Sequence, residues 1–583
     1  MSWATRSCVS SRSWVMKHET LTTWLWILIA PTLILWIAGA EWWSPPYTPD
    51  SEFYYSLGIF GSEVTDRALQ PAYYWTRLGW ILPVHLLVNV FGVSLGFAIW
   101  HWVLTTLAVA PTFFLVRRVS GVLAAGSASL IMASSTVFIV TTGNTYVISL
   151  VLPLMVAVSA ASVMLGMEEQ RGHSVALAII CGVAVGWIAM TNTIAAVYAT
   201  LVILSAAAVA ITICRRWREV RHWLLMALTT IVAAASTVAV FLGWGSIVFP
   251  GLDWFSTVLY WSRILDPSLY RDNSFAWINP GVVLLSLPLV IGAGVAMLAW
   301  RKTRLQPRER GAIAALTVAA VATMLLALAQ EFHLNTVALQ VPTYYPILWG
   351  PLLALMALLI GVVATGIFRR GLFTGLISAA ALLAVSALVG RTGSPIKSVL
   401  GWGLALCAAG VIAWVVARRM SMGRKRRSAV VATCALAAPL ALLQLFPNGG
   451  PSPGLYSSAY NKTPQAVLYS IDRSIVSWVL AETTPRDTLM VWAHPGQANM
   501  SAAAMNLWGF NAVGPLQERL TEADGGVLRA NGVTILAAYA HTRAAIEQSV
   551  AGLGESVRPE STKCHKAKDE FHVVHVCVVR LSY

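Results

Sequence analysis

Apolar stretches of about twenty residues, free of Asp, Glu, Lys and Arg, recur along the chain from Leu21 to Phe446. A helix crosses the roughly 30 Å hydrocarbon core of a bilayer with about 20 apolar residues. The pattern predicts about thirteen membrane spans, at 21–40, 93–116, 121–140, 146–167, 175–191, 194–213, 223–242, 281–300, 311–328, 345–368, 372–390, 398–417 and 428–446. The predicted fold class is an all-α polytopic membrane bundle of about 11–13 helices with a C-terminal α/β domain.

The composition of the 583 residues supports this prediction. Hydrophobic residues make up 57% of the chain and charged residues only 11%, and the mean hydropathy is +0.68. Soluble globular domains carry about a quarter charged residues. Soluble enzymes are therefore excluded as a class.

Basic residues fall at every second junction between the predicted spans, at Lys17, Arg117–Arg118, Arg171, Arg215–Arg221, Arg301–Arg310, Arg369–Arg370 and Arg418–Arg427. Cytoplasmic loops of membrane proteins are enriched in Lys and Arg, so these junctions are predicted to be cytoplasmic. The net charge of +15 then reflects topology, and nucleic acid is not expected as a partner. An odd number of spans that begins inside places residues 447–583 outside the cytoplasm.

Two domains are predicted: a transmembrane domain over 1–446 and an extracytoplasmic accessory domain over 447–583. Within the first, residues 41–92 form a long outer loop rich in aromatic and charged side chains. The stretches Ser51–Phe60 and Tyr73–Phe91 are typical of short amphipathic helices that lie near the lipid headgroups. This loop is expected to cover the outer end of the bundle.

The tail carries 11 basic and 11 acidic residues, as a water-exposed domain would. Its pattern predicts helices over 464–482, 516–530 and 542–550, strands over 488–493 and 533–539, and a hairpin that contains Cys564 and Cys577. A disulfide between these cysteines fits an oxidising compartment. Zinc bound by the cysteines with His565, His572 and His575 is the alternative, but a strand period of two puts His572 opposite His575 and Cys577.

Short motifs in the first 200 residues follow one another in a recognisable order: Pro49-Asp50-Ser51-Glu52-Phe53-Tyr54-Tyr55, then Pro71-Ala72-Tyr73-Tyr74-Trp75, then Phe91-Gly92-Val93, and a span that ends at Arg117-Arg118. This order resembles the opening of GT-C glycosyltransferases, in particular the protein O-mannosyltransferase and lipid A aminoarabinose transferase type. Later, Tyr344-Tyr345-Pro346 is similar to the tyrosine-proline start of a late family helix.

The resemblance implies an integral-membrane enzyme that transfers a sugar from a polyprenyl-phosphate donor to a glycan, lipid or protein acceptor of the cell envelope, with inversion of the anomeric configuration. Membrane lipid and the lipid-linked donor are then partners. Asp50 matches the position of the family's catalytic aspartate and would act as general base. Asp50 could instead cap the helix that follows. Glu52 could assist catalysis, bind the acceptor or only favour the helix N-terminus.

The departing phosphate requires cations. Arg77 holds roughly the place of a family basic residue, and Arg67, Arg263 and Arg271 are the other basic residues of the larger early outer loops. A guanidinium matches phosphate oxygens, although headgroup contacts or salt bridges would equally explain these arginines. Further substrate contacts are expected from Tyr54, Tyr55, Tyr74, His333, Tyr344 and Tyr345; His333 could also be an ordinary surface histidine.

No nucleotide-binding motif accompanies these residues, and they identify no certain cofactor, which leaves a divalent cation open. A transporter or flippase of lipid-linked glycans would share the aromatic and basic outer residues, but it needs no carboxylate beside a sugar. A non-catalytic assembly protein that acts through its tail is a third alternative. The spans lack the buried charges that mark many transporters, which favours the enzyme.

Overall fold

The structure is a computed structural model. It describes residues 73–133, 146–213, 216–264, 307–333, 345–368, 489–493 and 520–583, with gaps at 217, 531, 541, 556 and 569–572, together with short pieces at 27, 31–32, 54, 57–58, 138, 141–142 and within 475–487. The predicted spans 21–40, 281–300, 372–390, 398–417 and 428–446 lie wholly or mostly outside these residues.

Ten helices form the described part of the membrane bundle: α1 (Leu78–Phe91), α2 (Val93–Ser120), α3 (Val122–Ala133), α4 (Ile148–Met167), α5 (Arg171–Thr191), α6 (Thr193–Ile213), α7 (Val220–Val248), α8 (Trp254–Ile264), α9 (Pro307–His333) and α10 (Tyr345–Phe368). Among the described residues, six helices are long and apolar enough to cross a membrane. A multi-pass membrane protein with a mostly helical fold is therefore confirmed.

Helix α4 is the axis of the bundle. All twenty of its residues are buried, and it packs against α2, α5, α6, α9 and α10. Its neighbour α5 lies against α7 at backbone distance, because a Cβ at Gly186 would be 2.5 Å from the Ala234 carbonyl oxygen and one at Gly182 would overlap the Thr230 carbonyl oxygen. Small residues allow such close helix packing inside a membrane.

Ion pairs join three predicted cytoplasmic junctions at one end of the bundle. Arg118 at the end of α2 pairs with the buried Glu168 just after α4, and Arg308 at the start of α9 pairs with Glu169 over 2.6 Å. Burial disfavours the Glu168 carboxylate, but the Arg118 guanidinium and the Gln170 backbone N–H outweigh burial and lower its pKa to about 2. These ion pairs show that the junctions lie at the same end of the bundle, as the pattern of basic residues predicted.

Helix α1 differs from the prediction of an amphipathic surface helix over Tyr73–Phe91. A 3₁₀ turn spans Tyr73–Thr76, the α-helix begins at Leu78, and its first turns are buried on every side. The reason is that α5 and α7 both pack against α1. The exposed residues of α1 are Leu86 and, at the end of the helix, Asn89 to Phe91.

The C-terminal part is an α/β unit, as predicted. Four strands, β1 (Leu489–Ala493), β2 (Ile535–Ala540), β3 (Arg558–Lys568) and β4 (Val573–Ser582), form a sheet in the order β1-β2-β4-β3. Strands β1 and β2 are parallel, and the other two pairs are antiparallel. Among residues 520–583, the sheet is accompanied by α11 (Glu522–Ala530) and α12 (Arg543–Ala551).

Alternate residues of strand β2 belong to two different hydrophobic clusters, one on each face of the sheet. Ile535, Ala537 and Tyr539 share one cluster with Ile475 of the preceding helical segment, whereas the intervening residues of β2 share the other with residues of α11 and α12. This division follows from the period of two along a strand. Helix α11 begins later than predicted, since the Thr521 backbone N–H and hydroxyl both donate to Asp524 at its first turn.

Cys564 of β3 and Cys577 of β4 lie directly opposite each other and form a disulfide. Both sulfurs are therefore consumed, and neither can be a thiolate ligand of zinc.

Candidate functional site

An aromatic cluster lies at the end of the bundle opposite the arginine junctions. Tyr54 is its centre and is fully buried. Its ring lies 5.5 Å from that of Tyr74, 5.7 Å from Tyr146 and 6.2 Å from Trp80. Trp80 in turn meets Trp100 edge-to-face at 6.4 Å. The cluster thus ties the loop segment that contains Tyr54 to α1, to α2 and to Tyr146, two residues before α4.

The same loop segment also runs along α1. The Nδ1 of His85 lies 3.1 Å from the Gly58 carbonyl oxygen, to which it donates, and a Cβ at Gly58 would be 2.8 Å from Val84. Loop positions 54, 57 and 58 are helical, within the predicted helix Ser51–Phe60. The residues just after Asp50 and Glu52 in sequence are therefore packed against the residues just after Arg77.

Arg77 is the residue that precedes the first turn of α1. It is 8% exposed, its backbone N–H donates to the Tyr74 carbonyl oxygen, and its carbonyl oxygen accepts from the backbone N–H groups of Trp80 and Ile81. A helix N-terminus carries a partial positive charge from its backbone N–H groups. Arg77 adds a full cation at that point.

Two tryptophans from other helices bind the backbone beside Arg77. The indole N–H of Trp254 at the start of α8 donates to the Thr76 carbonyl oxygen over 2.7 Å. The indole N–H of Trp187 near the end of α5 donates to the Gly79 carbonyl oxygen, also over 2.7 Å. The turn that contains Arg77 is thus held on both sides.

Helix α8 is itself fixed at its N-terminus by Asp253. One oxygen of this carboxylate accepts from the backbone N–H of Ser256 over 3.0 Å, and the other accepts from the Ser256 hydroxyl over 2.6 Å. These two hydrogen bonds lower the pKa of Asp253. An aspartate that caps a helix in this way orients the chain that follows, here with Trp254 facing Thr76.

Buried polar contacts surround the aromatic cluster. The Trp80 indole N–H donates to the Ser149 hydroxyl over 3.1 Å, and the His101 Nδ1 donates to the Thr142 carbonyl oxygen over 2.9 Å. Tyr198 donates to the Gln330 side chain over 2.6 Å and so joins α6 to the last turns of α9. Side chains thereby cross-link several helices at the end of the bundle opposite the arginine junctions.

The predicted site residues divide into three groups. Tyr54, Tyr74 and Arg77 are described in full, and they lie close together through the aromatic cluster and the turn before α1. Arg263 lies on α8, His333 ends α9 and Tyr345 begins α10, and only the backbone of these three is described. Outside the described residues lie Asp50, Glu52, Tyr55, Arg67, Arg271 and Tyr344.

Within the described part of the chain, no group of three His, Cys, Asp or Glu side chains could hold a metal ion. The two candidate carboxylates, Asp50 and Glu52, fall outside that part.

Sequence reasoning did not identify Trp187 and Trp254 as residues of this region. They lie 108 and 178 positions from the carbonyl groups they bind. One local signal was available: Pro83 has no backbone N–H, so the Gly79 carbonyl four residues earlier cannot receive its usual helical hydrogen bond. A distant donor for that carbonyl could have been expected, but its identity could not.

The whole fold resembles that of solved membrane glycosyltransferases. ArnT from Cupriavidus metallidurans bound to undecaprenyl phosphate aligns over 94% of this chain and 97% of its own, with 13% identity and a TM-score of 0.50. The apo form of ArnT gives 14% identity over 95% and 97%, with a TM-score of 0.49. The apo oligosaccharyltransferase of Archaeoglobus fulgidus gives 11% identity over 88% of this chain and 69% of its own, with a TM-score of 0.42.

Neither a family profile nor a curated protein matches the sequence. The alignment with ArnT bound to undecaprenyl phosphate is enough to show the fold. The chain has the GT-C fold, as the order of its motifs predicted.

Proposed function

We propose that the protein is an integral-membrane glycosyltransferase that transfers a sugar from a polyprenyl-phosphate donor to an acceptor of the cell envelope at the extracytoplasmic surface. The GT-C fold supports the class of reaction. The observation that carries the proposal is the contact between Tyr54 and Tyr74, because it brings the chain that follows Asp50 against the turn that contains Arg77.

Chain connectivity limits how far Asp50 can be from this turn. Asp50 precedes Tyr54 by four residues, a separation that spans at most about 14 Å even when fully extended. Tyr54 contacts Tyr74, and Tyr74 lies three residues before Arg77. The Asp50 carboxylate and the Arg77 guanidinium are therefore proposed to act on the same donor molecule.

The reaction follows from these two charges. Asp50 removes the proton of the acceptor hydroxyl as its oxygen bonds to the anomeric carbon, while the bond from that carbon to the phosphate oxygen breaks. The bonding electrons leave with the phosphate, whose added negative charge Arg77 and the N-terminus of α1 stabilise. Attack opposite the leaving group inverts the anomeric configuration. The donor is activated already, so no nucleotide is needed outside the cytoplasm.

The remaining predicted residues complete the proposed site. Glu52 would bind the acceptor or assist Asp50, Arg67, Arg263 and Arg271 would add positive charge near the phosphate, and Tyr55, His333, Tyr344 and Tyr345 would contact sugar or acceptor. If a divalent cation takes part, Asp50 and Glu52 are its proposed ligands, and among the described residues no other group of ligands is found.

The C-terminal domain is proposed to lie on the same, extracytoplasmic side. The disulfide between Cys564 and Cys577 supports this placement, since such bonds persist in oxidising compartments. The pairing of Arg118 with Glu168 and of Arg308 with Glu169 gathers basic junctions at the opposite end of the bundle, which also supports it.

The test is the substitution Asp50→Asn in purified protein. Transfer is measured with a panel of polyprenyl-phosphate hexoses and pentoses, and binding is measured with undecaprenyl phosphate. Loss of a general base should lower turnover by about 10²- to 10⁴-fold with binding retained. Glu52→Gln, two residues away, is the matched variant and should reduce turnover less.

Transfer by Asp50→Asn at the rate of the unaltered protein would reject Asp50 as the base. Translocation of the donor across proteoliposomes without any transfer would favour the flippase alternative.

A further inference from the structure

Two backbone carbonyl groups beside Arg77 accept hydrogen bonds from tryptophans of other helices. Gly79 lies four residues before Pro83, which has no N–H to donate. Thr76 lies four residues before Trp80, whose N–H donates to the Arg77 carbonyl oxygen instead. A buried carbonyl that lacks a donor is costly. Trp187 supplies the donor for Gly79 and Trp254 supplies one for Thr76.

We infer that Trp187 and Trp254 are positioning residues, which hold the Arg77 turn in the conformation that binds the phosphate of the lipid donor. The inference rests on the function proposed above. It adds two residues, from α5 and α8, to the phosphate site, although neither needs to touch the lipid.

The packing around the two indoles supports a rigid turn. The Trp187 ring lies 6.0 Å from that of Phe241 in α7, and Phe241 stacks on Trp244. One helical turn further on, a Cβ at Gly245 would be 2.6 Å from the side chain of Leu78, the residue after Arg77. Helices α5 and α7 therefore fix the same first turn of α1 that the Trp187 hydrogen bond holds.

Such rigidity matters for a long side chain. A flexible arginine loses rotamer freedom when it binds an anion, and this loss weakens binding. Arg77 is mostly buried, so the direction of its guanidinium is set by the backbone from which it extends. Fixing the carbonyl groups of Thr76 and Gly79 fixes that backbone before the donor arrives.

The experiment compares the binding of two lipids by the unaltered protein and by its tryptophan variants. Trp187→Phe and Trp254→Phe each remove the N–H and keep an aromatic ring. Trp223→Phe is the matched control, because the Trp223 indole also donates to a backbone carbonyl, that of Arg216, at the opposite end of the bundle. Binding to the full-length protein in nanodiscs is measured for undecaprenyl phosphate and for undecaprenol, which lacks the phosphate.

The expected result is a loss of preference for the phosphate. Removal of one hydrogen bond should weaken undecaprenyl phosphate binding about three- to tenfold, with undecaprenol binding unchanged. Trp223→Phe should affect neither lipid. In an Arg77→Gln background the two tryptophan substitutions should have little further effect, because the residue that they position is gone.

Equal weakening of both lipids, or full additivity with Arg77→Gln, would overturn the inference, since a general loss of packing gives that pattern. Where Phe disturbs packing, the isosteric benzothienyl analogue of tryptophan, which has sulfur in place of the N–H, must give the same phosphate-selective loss. If Arg77→Gln itself leaves the phosphate preference intact, the phosphate role of Arg77 in the proposed function fails. If Arg77→Gln abolishes the preference and the tryptophan variants retain it, only the positioning role fails.

Discussion

At Gly79 the backbone of α1 lies close to α5. A Cβ at this position would overlap the Thr191 hydroxyl and would lie 2.9 Å from the Trp187 carbonyl oxygen. We expect Gly79→Ala to displace α1 and to lower stability by about 1–3 kcal/mol, the usual cost of overpacking. The loss is measured as a lower melting temperature of the purified protein.

A second substitution tests whether the loss of stability in Gly79→Ala comes from the overlap with the Thr191 hydroxyl. Thr191→Ala removes the hydroxyl but leaves the backbone of α5 in place, so it should restore part of the stability of Gly79→Ala and not all of it. Full stability of Gly79→Ala alone would contradict the close approach of the two helices.

Asp487 links three segments of the C-terminal domain. Its side chain accepts from the Thr484 backbone N–H over 2.7 Å and from the Arg580 guanidinium over 3.3 Å. Burial disfavours the charged form, but the hydrogen bonds from Thr484 and the Arg580 cation outweigh burial and lower the pKa. A carboxylate whose pKa is lower in the folded state stabilises the fold above its unfolded pKa of about 3.9 and ceases to do so as the pH falls through the folded pKa.

Asp487→Asn should therefore destabilise the domain at pH 7 by about 1.5–3 kcal/mol, the range for hydrogen bonds to charged groups. The difference from the unaltered protein should shrink as the pH falls below about 4. Hydrogen exchange of β2 and β4, corrected for intrinsic rates, measures both effects. Glu547→Gln, which removes an exposed pair with Arg543, is the control and should change little. A pH-independent difference would contradict the role of the charge.

At the scale of the elements, the contact between α5 and α7 depends on two glycines. A Cβ at Gly182 would be 2.7 Å from that of Ala233, and one at Gly186 would be 2.8 Å from that of Thr237, apart from the nearby backbone oxygens. Gly182→Ala and Gly186→Ala should each separate the helices and lower the melting temperature. Gly172→Ala on the same helix meets no atom within 4 Å and should be neutral or slightly stabilising, because Ala favours helix over Gly. If the melting temperature is unchanged or raised by all three substitutions, helix propensity outweighs the contact between the helices.

The boundaries of several helices could be predicted from the sequence within four residues, because an apolar run that ends at a charged or polar residue is sufficient to define a span. Helices α4, α6 and α10 are examples, as predicted spans 146–167, 194–213 and 345–368 correspond to Ile148–Met167, Thr193–Ile213 and Tyr345–Phe368. The depth of α1 could not be predicted. Its own residues are compatible with a membrane surface, and it is buried because α5 and α7 pack on it.

The candidate site, like the burial of α1, depends partly on tertiary contacts that could not be predicted from the sequence. The motif order led to the prediction that Tyr54, Tyr74 and Arg77 take part in one site. The structure shows that Tyr54 contacts Tyr74 and that the Arg77 backbone N–H donates to the Tyr74 carbonyl oxygen, while the roles of these residues stay predictions. The tryptophans that hold the Arg77 turn are side chains of ordinary apolar helices, and nothing local distinguishes Trp187 or Trp254 from the other tryptophans of the chain. Only the tertiary structure pairs them with particular carbonyl groups.

At the scale of the whole molecule, the proposal requires that the C-terminal domain and the Arg77 turn share one side of the membrane, opposite the junctions of Arg118 and Arg308. Cysteine substitution at two exposed glycines tests on which side of the membrane each region lies. An added Cβ would have no neighbour within 4 Å at either position. Gly526 lies on α11, and Gly172 lies at the start of α5, beside the basic junctions. Neither has a positive φ, so cysteine fits both positions without backbone strain.

In intact cells, a membrane-impermeant maleimide should label Gly526→Cys and should not label Gly172→Cys, whereas lysis should expose both. The unsubstituted chain is the control for its own cysteines, of which Cys564 and Cys577 are unreactive in their disulfide. Labelling of neither variant before lysis would place the tail with the arginines in the cytoplasm, where a reducing environment opposes a disulfide. Labelling of Gly526→Cys before lysis therefore tests the charge pattern and the disulfide together, since both require the same side.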